Sequence, residues 1–143
     1  MIHISTRGRY ALRAMVDLAL HSDDDPVARR DIAERQGISA DYVAQLFRQL
    51  GEADLLEGVK GPGGGYRLAR DATEIRAGDV VRAVEGPLAL VHCVVQEDEI
   101  PCKRVDRCAT HLLWKRLSQV MTEFLDSVTL QDLCDEARKL QEE

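Results

Sequence analysis

The amino-acid sequence predicts a mainly α-helical protein, in which a winged helix-turn-helix domain with a short two-stranded β wing precedes a long C-terminal dimerisation helix. Three observations predict this fold class. Apolar residues recur at helical spacing along most of the chain. A glycine turn separates two short helical segments, and a later run of five residues contains four glycines between two β-prone segments. A length of 143 residues suits one compact domain with an appendage, and 45% hydrophobic residues exclude wholesale disorder.

A first helix is expected over residues 10–20, where apolar side chains follow helical spacing without an intervening glycine or proline. Ser5 or Thr6 could cap its N-terminus. The acidic loop that closes with Pro26 ends this helix.

The next two helices form the predicted helix-turn-helix. A short helix over Arg29–Gln36 ends at Gly37, because glycine readily adopts the left-handed conformation of a helix C-terminus. Ser39 is a favourable N-cap for a third helix over residues 40–53, and Ile38 could pack on its first turn. A turn this short holds the two helices at a steep angle, which is the helix-turn-helix arrangement.

Two short strands are predicted over residues 55–59 and 66–68, joined by the glycine-rich run 61–65 as the tip of a β-hairpin. The glycines allow the backbone to approach another surface closely, and the flanking Lys60 and Arg67 indicate that this surface is anionic. A nucleotide-binding phosphate loop is excluded, because that motif requires Gly-Lys-Ser/Thr leading into a helix and a strand follows here.

The C-terminal part begins with a short amphipathic helix over residues 78–85. A long helix is expected over residues 109–127, and a last helix starts at Thr129 with Asp132 three residues on as a capping pair. A chain of this size has little core to cover the apolar stripe of the long helix, which predicts a dimerisation element; packing on the first helix is the alternative. The stripe comprises Leu113, Leu117, Val120, Met121, Phe124 and Val128.

The net charge of −6 argues at first against an anionic partner, but the charge is unevenly distributed. Residues 1–76 hold 11 basic and 12 acidic side chains, whereas residues 77–143 hold 8 and 13. Segments 1–13 and 58–70 each carry three basic residues and no acidic one, and phosphate binding depends on such local patches. Charge alone still favours the interpretation that these basic residues lie on ordinary solvent-exposed faces.

The chain carries four cysteines, and we expect a cytoplasmic location because neither a signal peptide nor a membrane-spanning run is present. Cytosolic thiols stay reduced, so clustered cysteines indicate metal or redox chemistry. Cys93, Cys102 and Cys108 lie within 16 residues of a polar segment, and His111 follows three positions later. Three thiolates and an imidazole can bind zinc or an iron–sulfur cluster.

The spacing of these ligands lacks the tight cysteine knuckles of structural zinc sites and suits a bulkier cluster. Burial as small apolar side chains is the alternative for free cysteines, and the charged surroundings oppose it except at Cys134, which falls on the apolar stripe of the last helix. His92 is an alternative ligand beside Cys93. No catalytic nucleophile motif, carboxylate pair or His-Glu-x-x-His helix is present, so we do not expect an enzyme.

Several of these motifs occur together in a known family. The chain resembles the Rrf2 (Rrf-two) family of winged-helix transcription regulators and, within it, the iron–sulfur cluster assembly regulators. The resemblance runs almost from end to end, and a glycine-rich wing followed by a cysteine triad is its most specific feature. It is carried by Ser5-Thr6-Arg7-Gly8-Arg9-Tyr10-Ala11, by residues 38–50, by Gly61-Pro62-Gly63-Gly64-Gly65-Tyr66, by Cys108-Ala109-Thr110-His111, by Leu113-Trp114 and by Phe124-Leu125.

The resemblance implies a homodimer that binds palindromic double-stranded promoter DNA. A winged helix-turn-helix DNA-binding domain would cover residues 1–76, a connecting helix and cysteine-rich cluster loop 77–107, and the dimerisation and C-terminal helices 108–143. Gln and Arg side chains on a recognition helix can form hydrogen bonds with base edges. A narrow wing can enter the minor groove, and the first arginines of the chain can bind phosphates. The implied DNA contacts are Arg7, Arg9, Ser39, Tyr42, Gln45, Arg48, Lys60, Gly63 and Gly64.

The resemblance also implies an iron–sulfur cluster on Cys93, Cys102, Cys108 and His111, expected as 2Fe-2S with 4Fe-4S left open. Promoter binding would then respond to cluster, iron or redox status. Eight residues rather than the usual five separate Cys93 from Cys102, which leaves open a nitric-oxide or thiol-redox sensor of the same family, or a zinc-bound regulator. Ala44 replaces an acidic residue with which the assembly regulators reject one class of sites when cluster-free, so that discrimination should be weaker here.

Overall fold

The computed structural model describes residues 1–23, 25–91, 94, 103–104 and 106–142. These residues form six helices and one two-stranded antiparallel sheet, so the mainly helical fold class is confirmed. In chain order the elements are α1 Thr6–His21, α2 Arg29–Gln36, α3 Ala40–Glu52, β1 Leu56–Val59, β2 Gly65–Leu68, α4 Ala77–Glu85, α5 Ala109–Ser127 and α6 Leu130–Gln141.

Local hydrogen bonds decide where the first three helices begin and end. Ser5, and not Thr6, caps α1: its Oγ accepts a hydrogen bond from the N–H of Gly8 at 3.2 Å, so the helix starts four residues before its apolar stripe. Gly37 ends α2 in the left-handed region with φ +67°. Ser39 caps α3 by accepting a hydrogen bond from the N–H of Tyr42 at 3.1 Å. The predicted helix-turn-helix is confirmed.

The hydrophobic core lies where α1, α2, α3 and α4 meet. Each large apolar side chain removed from water there contributes about 1.5–3 kcal/mol before the entropy cost of ordering the chain. The rings of Phe47 and Tyr66 meet edge to face with centroids 4.7 Å apart, which attaches the wing to this core. The largest fully buried side chains include Phe47, Met15, Leu18, Ile32, Leu46, Leu50, Leu55 and Ile75.

The wing is the hairpin of β1 and β2, paired in the register Leu56 with Leu68 through Val59 with Gly65. A further backbone bridge joins β2 to the segment before α2, where the N–H of Val27 donates to the carbonyl of Tyr66 at 2.8 Å. The approach is so close that a Cβ on Gly65 would overlap the Val27 carbonyl. The start of α2 is therefore fixed beside the wing.

The C-terminal helices attach to the rest of the chain in different ways. The N–H of Leu130 donates to the carbonyl of Ile75 at 2.8 Å, and Leu130 and Cys134 of α6 are buried, which confirms the core position predicted for Cys134. Thr129 and Asp132 form the predicted reciprocal cap of α6. Helix α6 packs on α1, whereas α5 packs on α4.

Candidate functional site

Helix α3 presents its apolar residues to the core and a polar face to solvent. Gln45 and Arg48 are exposed one helical turn apart on this outer face. Tyr42 is half-buried and meets the Tyr10 ring of α1 edge to face, with centroids 6.0 Å apart. Ser39 is exposed at the start of the helix, where its hydroxyl oxygen serves as the cap. The fold thus brings the four residues predicted on the recognition helix onto one exposed element.

A groove of about 420 Å³ separates α3 from the wing. Ala44 and Arg48 line its α3 side, and Glu57 and Tyr66 line its wing side. Position 44 contributes only a methyl group, so the positive charge of this groove comes from Arg48, and Asp54 adds a carboxylate just after the end of α3. Glu57 is paired with Arg67 across the hairpin, with the guanidinium Nε 2.6 Å from its carboxylate.

The wing tip exposes backbone and little side chain. Gly61 and Gly63 adopt left-handed backbone with φ +93° and +75°, and a Cβ on Gly64 would overlap the carbonyl of Val59. Lys60 is exposed beside the tip and forms no ion pair with any described residue. A narrow backbone ridge flanked by an unpaired cation has the shape and charge to enter a groove lined with phosphates.

The arginines at the start of α1 lie next to the helix-turn-helix. A guanidinium nitrogen of Arg7 donates to the side-chain oxygen of Gln49 on α3. Arg9 is exposed and donates to the hydroxyl of Thr6 at 3.4 Å. Neither arginine is paired with an acidic side chain in the part of the chain that the structure describes, so both keep their positive charge available.

Sequence reasoning missed the polar network that joins α1 to α2, the first helix of the helix-turn-helix. Asp17 of α1 is only 3% exposed, and Arg35 of α2 donates to both of its carboxylate oxygens at 2.8–3.1 Å. Gln36 donates to the same carboxylate at 2.8 Å and accepts from Arg13 at 3.1 Å. A buried charge that loses its partner costs several kcal/mol, so this network fixes α2 against α1. The one sequence signal was an acidic residue within the apolar stripe of α1.

Cys108 and His111 lie at the N-terminus of α5, one helical turn apart, where Cys108 is the N-cap residue. The hydroxyl of Thr110, 3.1 Å from its Sγ, and backbone N–H groups of the first turn lower the pKa of the Cys108 thiol, and Arg104 acts in the same direction. The thiolate is the form that binds metals. Cys93, Cys102 and the alternative ligand His92 lie outside the described residues, within which no group of three metal-binding side chains occurs.

Helix α5 leaves its apolar stripe uncovered in the single chain. Ser118 is its one buried residue. Four stripe residues spaced by three or four positions are exposed: Leu113 by 56%, Leu117 by 36%, Val120 by 42% and Phe124 by 66%. A contiguous exposed apolar face of this kind marks a protein interface.

Polar contacts with α4 and with Leu90 are among those that attach α5 to the rest of the described chain. Arg82 of α4 donates to both carboxylate oxygens of Asp126 at 2.8 and 3.2 Å, and also to Asp79 at 3.1 Å. The hydroxyl of Ser118 accepts a hydrogen bond from the N–H of Leu90 at 3.3 Å. Since Leu90 precedes Cys93 by three residues, the segment that leads to the cysteines is anchored on the helix that carries Cys108 and His111.

The family model described as "Rrf2: Iron-dependent Transcriptional regulator" matches residues 4–136. The chain belongs to the Rrf2 family. Its relatives include the HTH-type transcriptional regulators IscR of Pectobacterium atrosepticum (strain SCRI 1043) and of Yersinia enterocolitica. Each is 46% identical over 132 residues, which cover 92% of this chain and 79% of the relative.

Solved structures of Rrf2-type regulators share the fold. T. potens IscR is 36% identical with a TM-score of 0.78, over 98% of this chain and 91% of that one. CymR, the global cysteine regulator of B. subtilis, is 39% identical with a TM-score of 0.75, over 95% of this chain and 98% of that one. The oxidized form of Staphylococcus aureus CymR is also similar, at 34% identity and a TM-score of 0.73 over 93% and 96% of the two chains.

Membership of the Rrf2 family makes this chain a DNA-binding transcription regulator with a winged helix, and not an enzyme. The predicted family, fold class and absence of catalysis are therefore confirmed. Among the described residues, no helix combines the length and the hydropathy that crossing a membrane requires.

Proposed function

We propose that this Rrf2 regulator is a cytoplasmic homodimer whose binding to promoter DNA is controlled by an iron–sulfur cluster. Residues 1–76 would bind DNA, 77–107 would form the connecting helix and cluster loop, and 108–143 would form the dimerisation helix and the C-terminal helix. The observation that carries the proposal is the position of Cys108 and His111 at the start of α5, the helix that also exposes an apolar stripe. Cluster ligands and subunit contacts then share one rigid element.

The proposed ligands are Cys93, Cys102, Cys108 and His111. The two described ligands fit the cluster chemically, because Cys108 is held towards its thiolate form and His111 is one turn away on the same helix. Similarity to regulators named IscR supports a cluster, which we propose to be 2Fe-2S, with 4Fe-4S distinguished by the spectrum described below. A bound cluster supplies an iron centre whose presence and charge depend on iron supply and redox state.

The proposed DNA contacts follow from the exposed polar face of α3 and the narrow wing. In a two-fold dimer the recognition helices enter successive major grooves about 34–36 Å apart, so a small rotation between subunits changes the fit. Because Leu90 is anchored on Ser118, an altered cysteine loop would act directly on α5 and on that rotation. The proposed contacts are Arg7, Arg9, Ser39, Tyr42, Gln45, Arg48, Lys60, Gly63 and Gly64.

Iron and sulfide analysis with a visible spectrum of protein purified without oxygen tests the cluster. We expect two irons and two sulfides per chain, together with visible absorption, and we expect both to be lost in Cys108→Ser and His111→Ala. Cys134→Ala is the matched control, because Cys134 is buried on α6, and it should keep the cluster. A colourless, iron-free chain after careful reconstitution refutes the proposal, and stoichiometric zinc in its place identifies the zinc-bound alternative.

The similarity to CymR favours a second candidate, a thiol-redox regulator without a cluster. A chain of this kind would be iron-free, and its DNA affinity would change when Cys108 is oxidised and return on reduction. Loss of visible absorption on stoichiometric nitric oxide would instead assign the cluster-bound chain to the nitric-oxide sensors.

A further inference from the structure

The start of α2 lies beside the wing, and Arg29 is the first residue of that helix. The backbone bridge between Val27 and Tyr66 holds the two elements together, and Gly65 permits the close approach. Arg29 and Lys60 line one concave surface of about 520 Å³, between the start of α2 and the outer side of the hairpin. Two cations distant in sequence thus share one surface.

Arg29 has no partner that explains its charge. It is exposed, and the described residues offer it neither a hydrogen bond nor an ion pair. Three other arginines of this part of the chain are engaged: Arg35 is bound to Asp17, Arg67 to Glu57, and Arg70 to backbone carbonyls at the end of α3. Arg30 is exposed and without a described partner like Arg29, but it does not line the surface that Arg29 shares with Lys60. Arg29 and Lys60 therefore present uncompensated positive charge, which is typical of a surface that binds a polyanion.

A second concave surface, which reaches the tip of the wing, is mainly acidic. It is lined by Asp23, Asp25 and Asp31, by Arg35, whose charge is paired with Asp17, and by the tip glycines Gly63 and Gly64. Within the part of the chain that the structure describes, no acidic residue lines the surface of Arg29 and Lys60. A phosphate backbone that passes the wing is attracted to the basic surface and repelled from the acidic one.

We propose that Arg29 binds the DNA phosphate backbone together with Lys60, so that the start of α2 and the wing form one phosphate-binding surface beside the recognition helix. In a helix-turn-helix protein the first helix of the motif crosses the DNA backbone while the second lies in the major groove, which places Arg29 at the backbone. The inference rests on the proposed function only in requiring DNA binding. It adds a contact that fixes position and contributes no base preference.

The test measures how the DNA affinity of the full chain depends on salt. The probe is a duplex of about 30 base pairs, long enough for two half-sites, obtained by in vitro selection with the wild-type chain. The logarithm of the association constant falls linearly with the logarithm of the salt concentration, and each lost phosphate contact makes this slope shallower by about 0.9. We expect Arg29→Gln to reduce the slope by about 1.8 per dimer without changing the selected sequence. Arg29→Lys should keep most of the wild-type slope.

Arg138→Gln on α6 is the matched control, because it removes the same charge from an exposed arginine. It should leave the slope unchanged. An Arg29→Gln chain that keeps the wild-type slope and affinity overturns the inference while leaving the proposed function intact. A wild-type chain that binds no duplex at any salt concentration overturns the proposed function and this inference with it. Circular dichroism checks that the variants fold.

Discussion

Phe124 is the most exposed residue of the apolar stripe on α5, and replacing it by alanine should weaken dimerisation strongly. Its exposed fraction is 66%. A phenylalanine side chain can bury about 200 Å², so about 130 Å² is available to a partner subunit. At about 25 cal/mol per Å² this area contributes about 3 kcal/mol per protomer. The dimer dissociation constant should rise by about 100-fold for one altered protomer and by up to about 10⁴-fold for two.

Sedimentation equilibrium over a dilution series measures this dissociation constant. Leu140→Ala is the matched control, because Leu140 is an apolar residue of α6 with an exposed fraction of 71% that lies outside the stripe. It should leave the dissociation constant unchanged. An unchanged constant in Phe124→Ala, or an equal rise in both variants, would show that the subunits do not associate through this face of α5.

The remaining predictions concern the fold around the site. Gly65→Ala should lower the free energy of unfolding in urea by about 2 kcal/mol or more, since the added methyl group breaks two backbone hydrogen bonds beside α2. Gly58→Ala should be tolerated, because its backbone is ordinary and its Cβ would lie 4.0 Å from the carbonyl oxygen of Gly65, a normal van der Waals contact. Arg82→Gln should lower the free energy of unfolding by about 1 kcal/mol, because the partly exposed carboxylates of Asp79 and Asp126 lose the cation that they share. An unchanged urea midpoint would contradict this. Hydrogen bonds from Thr129 lower the pKa of Asp132, so its contribution is present near neutral pH and is lost as the pH falls below about 4. Wild type and Asp132→Asn should therefore converge in stability at low pH, and a constant difference would refute that origin.

Features encoded within three or four residues were predictable from the sequence. The Ser39 cap and the left-handed Gly37 lie beside the residues whose hydrogen bonds they complete, so residue type alone located the turn between α2 and α3. The reciprocal cap of Thr129 and Asp132 was predictable for the same reason. Cys134 could be assigned to the core because its neighbours follow helical spacing.

Features that join distant parts of the chain were not predictable. The periodicity of α1 gave no indication that Asp17 would be buried against Arg35, eighteen residues later. The bridge between Val27 and Tyr66 has no local signal, although it places Arg29 beside the wing. The buried hydroxyl of Ser118 likewise acquires its partner only when the chain folds back on α5.

The candidate site likewise combines features encoded by neighbouring residues with features that depend on distant parts of the chain. Cys108 and His111 are three residues apart, so helix geometry alone predicted that they would lie one turn apart. The spacing of Cys93 and Cys102 carries no such periodicity, and their part in the ligand set stays a prediction. The exposed stripe of α5 follows from the 3.6-residue repeat, whereas the identity of a partner that would cover it does not.

The DNA affinity of cluster-loaded and cluster-free protein on the same selected duplex tests the central claim most directly. Coupling between two sites in one protein is typically about 1–3 kcal/mol, which corresponds to a change of about 5- to 150-fold in affinity. The proposal predicts a difference in this range, which is abolished when Cys108→Ser prevents cluster binding. Equal affinities for the two forms of the wild-type chain, at every salt concentration, would contradict the control of DNA binding by a cluster.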